Sequence, residues 1–192
     1  MEQIRSFIAI ELPEDLKLGL AQLQRTLKAN KRPWVKWVHP YGIHLTLKFL
    51  GNIEAGKIDD ITKAMQAAAR GIPPFHLEAK DLGAFPNLRR VQVVWVGISG
   101  DLDKLGQFVQ RIESNLVPLG FATEGRPFVP HLTLGRVRNE ASFEERQELG
   151  QLIASAKFEV AYAIEVEAVN LMRSQLTREG AIYSVISSVK LS

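Results

Sequence analysis

Cysteine is absent from this chain of 192 residues. That removes disulfides, thiolate metal sites and a cysteine nucleophile together, and it leaves the cytoplasm as the expected compartment. Long apolar runs are absent too. The longest, Val93 to Ile98, suits a buried strand, while Phe7 to Ile10 is too short for a signal-peptide core or a membrane span. Acidic residues are missing from two intervals. Leu16 to Ile53 holds no Asp or Glu but carries Lys17, Arg25, Lys28, Lys31, Arg32, Lys36 and Lys48, and Gly125 to Asn139 carries Arg126, Arg136 and Arg138. The net charge is only +3, but local excess of one sign concentrates the opposite charge, so these intervals are where an anionic ligand would be drawn. No Ser/Gly-rich or charged low-complexity stretch divides the chain. With 46% hydrophobic and 23% charged residues, residues 1–192 are expected to form a single domain around one substantial core.

What is present is a pattern used twice. Asp15 to Ala29 places Leu16, Leu20, Leu23 and Leu27 at helical spacing behind the start signal Pro13-Glu14-Asp15. The alternating strand His44-Leu45-Thr46-Leu47-Lys48-Phe49-Leu50 follows and stops at Gly51. A helix from about Glu54 to Ala69 and strands over Phe75 to Leu82 and Val91 to Ile98 complete the half. The second half repeats the order: a helix from Asp101 to Leu116, then His131-Leu132-Thr133-Leu134 before Gly135, then a helix opened by the capping box of Ser142 and Glu145. Strands over Phe158 to Val166, Ala168 to Ser174 and Ala181 to Val189 follow. Strands outnumber helices and turns are short, so the expected class is α+β: two similar lobes with antiparallel sheets and flanking helices, related by a pseudo-two-fold axis, with a groove between them.

The repeated tetrapeptide carries the chemistry. Side chains alternate along a strand, so His44 and Thr46 face one way and Leu45 and Leu47 the other, and likewise His131 and Thr133 against Leu132 and Leu134. Each strand anchors itself with two leucines and presents an imidazole beside a hydroxyl. A single His-x-Thr would be a weak signal; two identical copies at equivalent places in two similar halves are a strong one. Two imidazoles can hold opposite protonation states near neutral pH and serve as acid and base. Thr46 and Thr133 can donate to phosphoryl oxygens. Arg136 can add a permanent charge, and Lys48, continuing the series His44, Thr46, Lys48, is a weaker candidate for the same work. This set suits the opening of a cyclic phosphodiester. His39, before Pro40, reads as a loop residue and His76 as a solvent-side strand residue. Of the aromatic residues near the motifs, Trp34, Trp37, Tyr41, Phe49 and Phe128, most read as core, with Phe128 and Trp34 the candidates for stacking on a base.

These residues resemble those of the RNA 2′,3′-cyclic phosphodiesterases, also called 2′-5′ RNA ligases, in the two-histidine phosphoesterase superfamily. The resemblance runs through Arg5-Ser6-Phe7-Ile8-Ala9-Ile10-Glu11, His44 to Gly51, Gly83-Ala84-Phe85-Pro86, Val94 to Gly97, Phe128 to Arg136, Leu171 to Ser174 and Gly180 to Tyr183. It implies a bilobal fold with the site between the lobes, His44 as proton donor to the leaving 3′ oxygen and His131 as the base that activates water. The two identical tetrapeptides could not assign those roles by themselves. The expected partners are RNA ending in a 2′,3′-cyclic phosphate or cyclic nucleotides, with no membrane, no metal and no cofactor, and the chain is expected to act as a monomer. A metal-dependent hydrolase is disfavoured by the acid-free surroundings of both motifs. A non-catalytic RNA-binding module would need only the basic residues, not His and Thr in both copies.

Overall fold

The computed structural model describes all 192 residues. In chain order the elements are β1 (Gln3–Ile10), α1 (Glu14–Leu27), β2 (Val35–Trp37), β3 (Leu45–Glu54), α2 (Ile58–Ala69), β4 (Phe75–Phe85), β5 (Val93–Gly100), α3 (Leu102–Leu116), β6 (His131–Val137), α4 (Phe143–Ser155), β7 (Tyr162–Val166), β8 (Ala168–Thr177) and β9 (Gly180–Lys190). They form two antiparallel sheets, ordered β3-β1-β8-β9 and β2-β6-β5-β4-β7. The helices follow the expected signals. Leu16, Leu20 and Leu27 of α1 are fully buried, each apolar side chain of this size contributing about 1.5–3 kcal/mol by leaving water. Ser142 caps α4 as a capping box, its hydroxyl accepting from the Glu145 amide at 3.1 Å while the Glu145 carboxylate accepts from the Ser142 amide at 2.8 Å. Asp101 precedes α3 but does not cap it through its side chain; its carboxylate accepts instead from the His76 amide at 3.0 Å.

The two similar lobes are present, each a sheet backed by two helices, but they are not the two halves of the sequence. Helices α2 and α3 pack on the first sheet, α1 and α4 on the second. Thus α1, which follows β1, crosses to the other lobe, where Gln24 bonds to β6 and Gly19 abuts Tyr162 of β7. Likewise α3, which follows β5, crosses to lie against β3 and α2. Strands cross as well: β4 joins the second sheet, and β8 and β9 join the first. Helices cover the outer face of each sheet, and a main core cluster of 42 buried residues draws on both lobes. The inner faces are left to line the space between the sheets.

Two bulges decide what lies on those inner faces. In β3, Ala9 stands opposite Thr46 and Ile8 opposite Lys48, so Leu47 is an extra residue. In β6, Trp95 stands opposite Thr133, Val94 opposite Gly135 and Val93 opposite Arg136, so Leu134 is the extra one. An extra residue reverses the facing of everything after it. The two bulges fall at the same place in the two repeats, directly after His-x-Thr.

Candidate active site

The strands β3 and β6 approach each other where the sheets meet. Leu45, Leu47, Leu132 and Leu134 are buried, as the alternation requires, and His44, Thr46, His131 and Thr133 are half-buried on the opposite, groove-facing side. Both imidazoles are oriented by the same device. The His44 Nδ1 bonds to the Gly42 carbonyl at 3.0 Å, and the His131 Nδ1 to the Val129 carbonyl at 2.8 Å, each two residues upstream. A carbonyl can only accept, so Nδ1 carries the proton in both rings and Nε2 is left for chemistry.

Aromatic rings stand against each imidazole. Phe7 and Tyr183 meet His44 edge-on, with centroids at 5.8 and 5.4 Å and interplanar angles of 67° and 85°. Phe85 meets His131 at 5.0 Å and 87°. Gly42 makes the first arrangement fit, since a Cβ there would come within 3.0 Å of the Tyr183 ring. Burial pushes the His44 pKa below the ordinary imidazole value, the bond to the Gly42 carbonyl and the charge of Glu11 oppose that, and Lys17 adds to it.

Beyond the threonines the bulges overturn the strict alternation. Cross-strand partners share a face, so Arg136, opposite Val93, lies on the groove face with Thr133, opposite Trp95. Lys36 of β2 is directly opposite Arg136, giving two like charges side by side, an arrangement that costs stability and concentrates positive potential. Lys48 does not continue the inward series. Opposite the buried Ile8, it points to the helical side, where its ammonium meets Glu113 of α3 at 2.9 Å and the Ala122 carbonyl at 2.7 Å. Glu113 also accepts from the Glu124 amide at 3.3 Å, so the pair ties β3 to the loop that leads to His131. Its side chains are only 9% and 14% exposed. Lys48→Met should therefore leave a poorly hydrated carboxylate without its partner and cost on the order of 3 kcal/mol in denaturant unfolding, with Glu113→Gln added to it recovering part of the loss. A cost below about 1 kcal/mol would show a pair weakened by solvent.

The remaining candidates sort by exposure. Phe128 and Trp34 are half-buried and pack against the main core, whereas Phe49, read as core, is 68% exposed on the groove face beside Phe7. His39 sits in the loop before the first motif and accepts from the Tyr41 amide, and His76 lies at the surface bonded to Glu165 and Glu78, which raise its pKa. No three His, Cys, Asp or Glu side chains converge as a metal-ligand set. Sequence reasoning placed Phe7, Phe85 and Tyr183 only within the stretches of resemblance and Lys36 only within a basic interval, without setting the three rings against the imidazoles or Lys36 beside Arg136. It also missed Gln24, which is 1% exposed and donates to the Leu134 carbonyl at 3.0 Å and the Val38 carbonyl at 2.6 Å, pinning the bulge of β6. An amide beside the buried leucine stripe of α1 was the one available signal for it.

A family model described as LigT-like phosphoesterase matches this chain twice, over residues 10–95 and 96–183, one copy for each repeat. The RNA 2′,3′-cyclic phosphodiesterase of Methanothermobacter thermautotrophicus is 34% identical over 98% of this chain and 100% of its own length. That of Aquifex aeolicus is 31% identical over 100% of this chain and 99% of its own. Among solved structures, E. coli LigT complexed with 3′-AMP superposes with a TM-score of 0.78 at 25% identity, covering 100% of this chain and 99% of that one.

Proposed function

The chain belongs to the LigT-like phosphoesterase family, and from that premise we propose that it hydrolyses the 2′,3′-cyclic phosphate at RNA 3′ ends to a terminal 2′-phosphate by acid and base catalysis between His44 and His131, without a metal ion. The observation that carries this reading is the matched pair of imidazoles, each with Nδ1–H bonded to a carbonyl and Nε2 free on a groove-facing strand that also presents a threonine. In the reaction, water adds to phosphorus as its proton passes to Nε2 of His131. The bond from phosphorus to the 3′ oxygen breaks opposite the attack, and that oxygen takes the proton from Nε2 of His44. The products are a 2′-phosphate and a free 3′-hydroxyl. Thr46 and Thr133 donate to the non-bridging oxygens, and Arg136 supplies a permanent positive charge on the same face. With an RNA 5′-hydroxyl in place of the attacking water, the same displacement of the 3′ oxygen joins two ends through a 2′-5′ bond.

The names of the full-length relatives support the reaction class, and the position of Arg136 on the face of Thr133, beside Lys36, supports phosphate neutralisation by fixed positive charge. The test is to incubate the protein with an RNA ending in a 2′,3′-cyclic phosphate, in excess chelator, and to identify the product isomer by phosphorus NMR. Full turnover to the 2′-phosphate is expected. Activity lost in chelator and restored by one divalent ion would sink the metal-free mechanism, and a 3′-phosphate product would require the two histidines to exchange roles.

A further inference from the structure

His44 and His131 belong to different lobes, and no ladder pairs β3 with β6, so backbone pairing does not set the distance between them. One buried side chain links the segments that carry both. Gln24, 1% exposed on α1, donates from Nε2 to the Val38 carbonyl at 2.6 Å and to the Leu134 carbonyl at 3.0 Å. Both neighbours can only accept, so the nitrogen faces them and each of its hydrogens has its own carbonyl. Leu134 is the extra residue of the β6 bulge, one step after Thr133. Val38 follows β2 and leads through a short, internally bonded turn to the first motif. In that turn the Gly42 amide donates to the His39 carbonyl at 2.7 Å, the Ile43 amide to the Pro40 carbonyl at 3.3 Å, and the His44 ring to the Gly42 carbonyl at 3.0 Å. The other end of the Gln24 amide is treated differently: Oε1 is buried and has no donor. A side chain serving stability alone would pair both ends, and local rules of this kind tend to be broken at functional sites.

We infer that Gln24 is a positioning residue for the acid and base pair: it holds the turn that seats His44 at a fixed distance from the strand that carries His131. The inference rests on the reading that both imidazoles act on one phosphate. Thr133 and Arg136 share β6 with His131, so whatever holds the phosphate on that side moves with the base. His44 and Thr46 belong to β3 and the turn before it. The bonds at Val38 and Leu134 are where the first set is referred to the second. An in-line displacement needs the acid opposite the attacking water, and a misplacement of about 1 Å can cost on the order of a hundredfold in rate. The Val38 amide also donates to the Leu134 carbonyl, at 2.8 Å, so removing the side-chain bonds shifts the turn without detaching it.

The test compares wild type, Gln24→Met and Gln24→Asn on 2′,3′-cyclic AMP, each also in a His44→Ala background followed at high enzyme concentration. Methionine keeps the length without a donor, and asparagine keeps the amide but stops one methylene short. Calorimetric titration with 2′-AMP counts the binding-competent molecules, so kcat is taken per competent site. Both variants should lower kcat by about ten- to a hundredfold, with KM held within about threefold. In the His44→Ala background the same replacements should cost no more than about threefold, because the acid whose place they disturb is gone. A residue that serves the fold alone would cost the same factor with and without His44. That equality overturns the inference, as do an unchanged kcat, a loss carried by KM, and the failure of both variants to bind 2′-AMP. A wild type inert toward 2′,3′-cyclic AMP would mean that the proposed reaction itself has failed, and the inference falls with it.

Discussion

Replacing either His44 or His131 by alanine is expected to lower kcat/KM on a 2′,3′-cyclic phosphate by about 10²- to 10⁴-fold, the range a positioned acid or base contributes. Folding should survive, because both rings stand on the groove face while Leu45, Leu47, Leu132 and Leu134 hold the strands in the core. In the proposed scheme the two proton transfers belong to one displacement, so the double variant should lose little more than the worse single one. Steady-state kinetics on the three variants, with circular dichroism to confirm the fold, measures this. Losses that multiply would mean the imidazoles act in separate steps, and the concerted scheme would have to be given up.

Activity should also be displaced toward acid, falling about tenfold per pH unit along the alkaline limb. The sign follows from burial. His44 is the general acid of the proposed scheme and works only while protonated; burial beneath Phe7 and Tyr183 lowers its pKa, so the protonated fraction begins to fall below the pH at which a solvent-exposed imidazole would lose its proton. In Tyr183→Ala the ring is wetter, its pKa moves back up, and the alkaline limb of kcat/KM should shift to higher pH while the acid limb stays in place. The limbs belong to the coupled pair, so the comparison is between variants rather than with single-residue values. If the acid limb moves instead, His44 is the base, and the roles implied by resemblance are reversed.

How much of this was legible before the fold depends on range. The paired tetrapeptides could be read because a strand's period of two needs only its own residues, and the capping box at Ser142 because a helix start is equally local. Lys48 shows where that reach ends. Strict alternation put it beside Thr46, but a bulge is a property of two strands together, and the pairing with β1 supplies it. The same effect works in favour of Arg136, which an odd spacing from His131 would have turned away without the extra residue at Leu134. The exchange of α1 and α3 between lobes was equally hidden. An amphipathic pattern says that a helix has an apolar face, not which sheet receives it. For the same reason Phe49 and Phe128 could not be told apart as exposed and packed rings.

The sharing of each sheet between the two repeats bears on how the protein is made. Strand β1 leaves the ribosome long before β8, yet Ile8 must find Leu171 and Phe7 must find Met172. Pairings so distant along a chain form slowly, and an unpaired strand edge invites wrong partners in the interval. The ring of Phe7 and the later one of Tyr183 are also what close over His44. A nascent chain halted just short of Ala168 would already hold both His-Leu-Thr-Leu segments, but with β1 open on one side and His44 lacking the ring of Tyr183 that completes its enclosure.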